Sequence, residues 1–466
     1  MSNLNIAERR LPQDGRFTIK TSNREIDVRV SILPTVYGEK TVLRLLDKSG
    51  FGFNLKSLGF EEKMHSIFRR VISQPYGMVV VSGPTGSGKS TSLYASLKEI
   101  KNDSDLKKFV TFPFKLYKNS KYWIPPIISE EMNNFKSDIN PSLKDSSISL
   151  FIAIKDNEVV GRIAAIINWV EVKNYKVRKI RFGWFDVIND INVTKLLINR
   201  IKEIGKANKL EYMEGPMGFS NLDKVGVLTH GFDKIGTMVT WYNHPYYSSH
   251  FEKLNFKIEK QYFEKQFSFK NIDKDYYSRM SKIIQNRYDF KAVNFDKIKD
   301  VLNNMNEMFD LFNRSYSSLS SFVEINDIQK EYMKHKYLRF MNPKFITFVV
   351  DKNNNIIGFA IIMPSYAKAL QKMKGKLYPF GFLHLINAKK YAKNVILYLI
   401  GVHPDHQNKG VTAILFSSLI QNLKEKNIED CLRTPELVEN DSVDKIWKNF
   451  NPTLRKKRCT YKKDLN

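Results

Sequence analysis

Two stretches of the chain carry the same alternation of apolar and polar positions. Residues 150–166, LFIAIKDNEVVGRIAAI, and residues 345–362, FITFVVDKNNNIIGFAII, are each a β-forming run, an Asp/Asn turn and a second β-forming run. The pattern predicts a β-hairpin, because branched side chains suit a pleated surface and Asn or Asp tolerates the turn. In both copies predicted helix comes before the hairpin, and a strand, a helix and another strand come after it. These are IRFGWFDVI, VTKLLINRIKEIGK and LEYMEG in the first copy, and NVILYLIGV, VTAILFSSLIQNLKEK and IEDCLRT in the second. The recurrence, at a spacing of about 200 residues, predicts two copies of one mixed α/β domain. Ahead of both, residues 76–95, YGMVVVSGPTGSGKSTSLYA, read as an apolar strand, a glycine-rich turn and the start of a helix.

Composition adds a boundary to this pattern. Residues 1–101 hold 8 Lys and 8 Arg, whereas residues 102–466 hold 48 Lys and 11 Arg. The change falls near KEIKNDSDLKK, a polar stretch of the kind that separates domains, and places a junction at about residues 97–104. The formal charge of +27 suits anionic partners, but lysines spread among Asn, Ile and Asp read mainly as a solvated surface. The densest basic run, Arg455 to Arg458 with Lys462 and Lys463, has Tyr461 as its one interleaved aromatic, which disfavours nucleic-acid binding. The apolar runs are too short to span a bilayer and the polar N-terminus encodes no export signal, so membrane insertion is not expected and the location is read as cytoplasmic. Cys431 and Cys459 are too few for a disulfide framework or a thiolate metal site.

The turn at Gly83, Thr85, Gly86, Ser87, Gly88, Lys89, Ser90 and Thr91 fits G-x-x-x-x-G-K-[ST] between a strand and a helix. Glycines there let backbone N–H groups close around phosphate oxygens, Lys89 meets the β and γ phosphates, and Ser90 is the candidate ligand for Mg²⁺. With IAERRLPQDGRFTIK and REIDVRVSILPTVYGEKTVLRLLDK before it, this segment resembles the type II secretion and type IV pilus assembly ATPases over residues 4–100. The resemblance implies that Arg29 and Arg44, on a small domain preceding the loop, reach the nucleotide phosphates. It also implies an acidic box, a Walker B carboxylate, a histidine box and often a cysteine tetrad after the loop, none of which follows here. Phosphoryl transfer needs a positioned water and a second acidic group at Mg²⁺, so ATP hydrolysis is expected to be weak or absent. The missing ends lead us to expect a truncated gene or an assembly artefact, a chimera of two unrelated proteins.

In the second copy, NVILYLIGV runs into His403-Pro404-Asp405-His406-Gln407-Asn408-Lys409-Gly410-Val411-Thr412-Ala413 and then a helix. This resembles the acyl-CoA motif [R/Q]-x-x-G-x-[G/A] of the GNAT superfamily of N-acyltransferases, at a strand-to-helix turn. The resemblance implies that Gln407 through Ala413 hold the pyrophosphate of acetyl-CoA or another acyl-CoA with backbone N–H groups and the helix N-terminus. Thr412 departs from it, standing where a small residue is usual. The first copy has DVINDINVT at that place, with no glycine and two acids that repel a pyrophosphate, and is expected to serve structure or recognition. Backbone N–H groups of strand 394–402 are the candidate oxyanion donors. Glu439 and Glu436, after IEDCLRT, are candidate bases, with Tyr398 and His403 behind them. The passage 214–247, dense in Gly, Pro and aromatics, reads as a functional loop. His230 and His244 within it are expected to be loop histidines, and no cluster has metal-ligand spacing. Residues 105–463 also resemble a group of tandem GNAT-like bacterial proteins.

The expected fold class is therefore α/β: a partial P-loop NTPase unit (1–100) followed by two tandem GNAT-like mixed-sheet domains (105–272 and 273–466). The expected function is acyl-CoA-dependent N-acyl transfer to a small-molecule or peptide amine. Two alternatives stay open: an ATP-binding component of a secretion or pilus system, and a non-catalytic GNAT-like binding protein.

Overall fold

The computed structural model of the chain describes residues 4, 10–21, 24–47, 67, 97–220, 222–317, 322–338, 340–440 and 446–465. These fall into two compact units, Met1–Ser96 and Leu97–Asn466. The first is described as an antiparallel sheet of β1 (Gln13–Thr21), β2 (Arg24–Thr35) and β3 (Gly38–Asp47), with β2 in the middle. Its register sets Arg29 opposite Arg16 on one side and Arg44 on the other. The phosphate loop, with Gly83, Thr85, Gly86, Ser87, Gly88, Lys89, Ser90 and Thr91, lies outside the described residues.

The second unit is built on one sheet. Its strands in chain order are β4 (Leu97–Glu99), β5 (Ser146–Lys155), β6 (Glu158–Asn168), β7 (Lys179–Val187), β8 (Tyr212–Gly215), β9 (Val227–His230), β10 (Lys257–Ser268), β11 (Lys291–Asn294), β12 (Ile346–Val350), β13 (Ile356–Pro364), β14 (Asn394–Val402), β15 (Asp430–Arg433), β16 (Glu436–Leu437) and β17 (Thr453–Asp464). The spatial order is β11-β12-β13-β14-β15-β10-β17-β8-β7-β6-β5-β4, with β16 on β10 and β9 on β17. The two hairpins read from the sequence are β5–β6 and β12–β13. After each comes a strand, a helix (Ile191–Ala207 or Val411–Glu425) and a strand parallel to the previous one, β7 with β8 and β14 with β15. Parallel pairing requires such a crossover.

The two copies exchange their last strands. β10, which ends the first copy, pairs with β15 of the second, while β17, at the end of the second, pairs with β8 of the first. The two exchanged strands also pair with each other along most of their length. Where they meet, the sheet face is polar and closed to water. Arg458 of β17 is paired with Glu264 of β10, and both are buried. Next to them, Arg181 grips Glu171 at 2.6 and 2.8 Å, and Lys179 reaches Glu214 at 2.9 Å. Each charge is thus matched, as burial requires.

Lys456 departs from this rule. It is 1% exposed, opposite Glu264 in register, and its Nζ has no hydrogen-bond partner among the described residues. Burial pushes its ammonium down to about 8. A lysine with a depressed folded value binds its proton more tightly unfolded, so it opposes folding at neutral pH and ceases to do so as pH rises from about 8 toward 10.5. Lys456→Met is expected to raise the melting temperature at pH 7 and to flatten the rise of stability over that window. Thermal melts of both proteins across pH 7 to 10.5 measure this.

Helix Val411–Glu425 buries Val411, Ile414, Leu415, Leu419 and Leu423, spaced three and four apart, toward β12 and β13. Helix Lys274–Tyr288 packs beside it. Helix Ile298–Tyr316 buries Val301, Met305, Met308, Phe309 and Phe312 against the other face of the second-copy sheet, carrying its C-terminal end to β14. Among the described residues no helix is long and apolar enough to cross a membrane.

Candidate active site

β14 and β15 run together as a parallel pair from Asn394↔Asp430 to Leu397↔Arg433 and separate beyond that point. The separation coincides with an irregularity on the other side of β14, where its pairing with β13 passes from Leu399 to Leu397 and leaves Tyr398 unmatched. A β-bulge of this kind bends a strand and re-aims its backbone. The gap opens into a cleft enclosing about 1310 Å³, part of it open to solvent. Leu397 to Ile400 form one wall and Thr434 to Leu437 the other. The rest comes from the first copy and the exchanged strand, with Arg181, Ser220 and Asp223 on one side and Lys260 and Tyr262 of β10 on another. An adjoining cleft walled by Trp184, Trp241, Lys224 and Lys336 shares Leu222, Asp223 and Val239 with it. The passage 214–247 thus supplies the surface that both clefts have in common.

At the far end of β14 the chain makes a single 3-10 turn, Pro404–His406, and reaches Gly410 at φ +74°, the N-cap of helix Val411–Glu425. No side chain caps this helix. Ala413 N donates back to Gly410 O at 2.9 Å, which leaves the N–H groups of Val411 and Thr412 to face an anion, a donor pair that suits a pyrophosphate. A Cβ on Gly410 would lie 2.3 Å from Ile284 Cδ1. Glycine is thus demanded both by the positive φ and by the close approach of helix Lys274–Tyr288. Gln407 and Asn408 are exposed, and Lys409, Thr412 and Ala413 are half-buried.

The first copy shows what the second leaves open. Its helix is capped by Asp190, whose carboxylate accepts from Asn192 N at 2.9 Å, so an acidic side chain stands where an anion would bind. Its strand gap is filled by the chain itself. Met217 N donates to Phe182 O at 2.8 Å, a Cβ on Gly183 would meet Met217 O at 2.3 Å, and Trp184, Phe219 and Trp241 pack ring against ring.

Of the candidate catalytic residues, Glu436 and Tyr398 line the cleft. Glu436 is held by the Arg433 guanidinium, with Nε at 2.9 Å. Burial keeps the Tyr398 hydroxyl well above the ordinary tyrosine range. Glu439 is exposed and is not part of the lining, although its charge helps raise Tyr262, whose shift comes first from burial. His403 caps the turn, its Nδ1 accepting from Asp405 N at 3.3 Å. His230 pairs in β9 with Lys457, and His244 packs among Tyr117, Tyr242 and Tyr246 with burial lowering it, and neither lines either of the two clefts described above. Cys431 is buried in β15, and burial pushes its thiol up to about 12, too high for a thiolate nucleophile at neutral pH. Among the described residues no group of three or more His, Cys, Asp and Glu is placed to hold a metal.

Two residues the sequence did not single out act on β14 directly. Tyr316 Oη donates to Ile400 O at 2.8 Å and Ser315 Oγ donates to Val402 O at 3.1 Å. They satisfy carbonyls that lost strand partners when β15 diverged. Nothing in the helix sequence flags them, because their partners lie more than 80 residues away.

Residues 305–443 match the acetyltransferase (GNAT) family. The matched span holds β12 to β15, the uncapped helix and both strands of the open gap. Residues 1–112 match the type II/IV secretion system protein family. The end of that match, from Leu97, folds as β4 and helix Asp103–Leu116 within the second unit, with Phe109 and Val110 in its core. Type II secretion system protein E of Xanthomonas campestris pv. campestris is 51% identical over 107 residues, which are 23% of this chain and 19% of that protein. Type II secretion system ATPase E of Vibrio cholerae is 52% identical over 100 residues, 22% of this chain and 20% of that protein. The type IV pilus assembly ATPase PilB of Myxococcus xanthus is 52% identical over 101 residues, 22% and 18% of the two chains. The chain therefore spans about a fifth of the length of the curated relatives it matches. Among solved structures, a tandem GNAT protein from the clavulanic acid biosynthesis pathway aligns over 80% of this chain and 99% of that one, with TM-score 0.47 and 7% identity. A GCN5-related N-acetyltransferase from Sphaerobacter thermophilus aligns over 79% and 96%, with TM-score 0.43 and 6% identity.

Proposed function

We propose that the second copy binds an acyl-CoA and that the protein transfers its acyl group to an amine, a small molecule or a peptide, held in the cleft between the two copies. The observation that carries this reading is the separation of β14 from β15 beyond Leu397 and Arg433, in the same half as an uncapped helix N-terminus. The backbone N–H groups of Val411 and Thr412 would hold the pyrophosphate, with Lys409 beside it, and the backbone of Tyr398 to Ile400 would flank the acyl-bearing arm. When bound, an acyl-CoA supplies a thioester-activated acyl group. The amine must lose a proton before it attacks. Of the two carboxylates lining the cleft, Asp223 and Glu436, Glu436 would accept that proton at Oε1 or Oε2, with Arg433 fixing its orientation. Tyr398, still protonated at neutral pH, is the candidate donor to a departing group. Tyr316 and Ser315 keep β14 in its diverged shape. The first copy, its gap filled, contributes the acceptor wall through Ser220, Leu222 and Asp223. Calorimetric titration of the intact chain with acetyl-CoA tests the reading. Micromolar binding is expected, and absence of binding sinks it.

A second activity has its own support, the 50% or higher identity to secretion ATPases across a segment that includes the phosphate loop. We infer that this loop binds Mg·ATP through Lys89 and Ser90 without hydrolysing it, since no Walker B carboxylate follows. Titration with Mg·ATP should give weak binding that Lys89→Ala abolishes, with no phosphate released. Sustained phosphate release would overturn the inference.

A further inference from the structure

Between β13 and β14 the chain inserts a short helix, Ala367–Met373, and a longer one, Gly381–Tyr391. The longer helix buries none of its residues. Instead it and the loop before it present large apolar side chains to solvent. Tyr378, Phe380 and Tyr391 are 74%, 71% and 65% exposed, and Phe382, Leu383 and Ile386 are exposed as well. The residues form one patch. Phe382, Leu383 and Ile386 lie three and four apart on a single helical face, and the Tyr378 and Phe382 rings are 6.1 Å apart. Contiguous exposed apolar surface of this kind marks an interaction site.

The charge around the patch is predominantly positive, with Lys393 at its edge paired to Glu429 at 3.1 Å. Residues 365–393 contain seven lysines (368, 372, 374, 376, 389, 390 and 393), and no Asp or Glu occurs from residue 352 to residue 404. The neighbouring first-copy segment adds to it. Gln371 Nε2 donates to the carbonyls of Lys121 and Trp123 at 2.9 Å, which sets exposed Lys121 beside the insert. A second copy of this chain would bring the same lysines face to face, so self-pairing through the patch is opposed by like charge. The surface that complements an apolar centre ringed by lysines is apolar inside and anionic outside.

We propose that the Gly381–Tyr391 helix and its preceding loop dock the protein on an anionic lipid bilayer, the aromatic and aliphatic side chains entering the headgroup region and the lysines facing lipid phosphates. This is adsorption to a surface and does not require a spanning segment. It is independent of the acyl-transfer reading, because the patch lies outside both clefts.

The test is co-sedimentation of the full chain with phosphatidylcholine vesicles, with and without added phosphatidylglycerol. Binding is expected with phosphatidylglycerol and not without it, and it should weaken as salt rises. Phe380→Glu with Ile386→Glu should lower the apparent affinity at least about tenfold without lowering the melting temperature, since both side chains are exposed. Lys389→Glu with Lys390→Glu should weaken binding and reduce its salt dependence. No binding to phosphatidylglycerol vesicles, or binding that both variants leave intact, overturns the proposal. Concentration-dependent self-association that Phe380→Glu abolishes, without vesicle binding, also overturns it and makes the patch an interface between copies.

Discussion

Thr412→Glu is expected to weaken acetyl-CoA binding at least about tenfold, a loss of about 1.4 kcal/mol, while leaving the melting temperature unchanged or slightly higher. Thr412 is the second residue of helix Val411–Glu425, half-buried, at an N-terminus that no side chain caps. A carboxylate in the first turn favours the helix by about 0.3–1 kcal/mol, so the fold gains. The same carboxylate would stand close to the pyrophosphate, and two like charges about 4 Å apart repel by about 4 kcal/mol near a protein surface. The substitution imitates the first copy, where Asp190 already occupies the helix N-terminus. A more obvious choice, a bulky residue at Gly410, would confuse folding with binding, because its side chain would run into Ile284. Calorimetry with acetyl-CoA and a thermal melt of the same preparation separate the two effects. Undiminished binding would remove the pyrophosphate from this helix end.

Arg458→Met should be the most destabilising of the substitutions considered, by about 3–5 kcal/mol, read as a fall in denaturation midpoint. The change leaves Glu264 buried without its guanidinium, and removing one member of a buried pair costs far more than removing both. Lys456, opposite Glu264 in register, offsets part of the loss and places the result toward the lower end. The double variant Arg458→Met with Glu264→Leu should recover most of the stability, since a well-packed apolar pair is often no worse than the ion pair it replaces. If the single and double variants melt together, the pair does not hold the exchanged strands.

The parts of this fold that follow from local pattern were legible in the sequence. The two hairpins, the strand-helix-strand that follows each, and the Gln407–Gly410 turn depend on residues adjacent in the chain, and the structure has them where the pattern put them. The exchange of β10 and β17 was not legible. Both strands are rich in charge, KIEKQYFEKQFS and TLRKKRCTYKKD, and read as solvated edges until their partners bury Glu264, Lys456 and Arg458. Partner choice in a sheet is a property of tertiary register and leaves little trace in one strand alone. The site divides along the same line. The absence of a phosphate turn in the first copy was visible, but the filling of its gap by Met217 and Trp241 was not, and neither was the hold of Tyr316 on β14. Glu436 and Glu439 looked equivalent by position, and the Arg433 pair distinguishes them by drawing Glu436 alone onto the cleft wall.

The exchanged strands also set the order in which the molecule can be completed. β8 waits for a partner that is synthesised far downstream, Thr460 reaching Glu214 across 246 residues of chain. During translation the first copy must therefore persist with an open sheet edge, the kind of edge that invites mispairing. The same interlock implies that the second unit, severed between Asn271 and Asp273 and expressed as two fragments, would yield halves each lacking one strand and each carrying the strand the other lacks. Such fragments should be unstable apart and reassemble together, which makes this chain a natural scaffold for split-protein complementation.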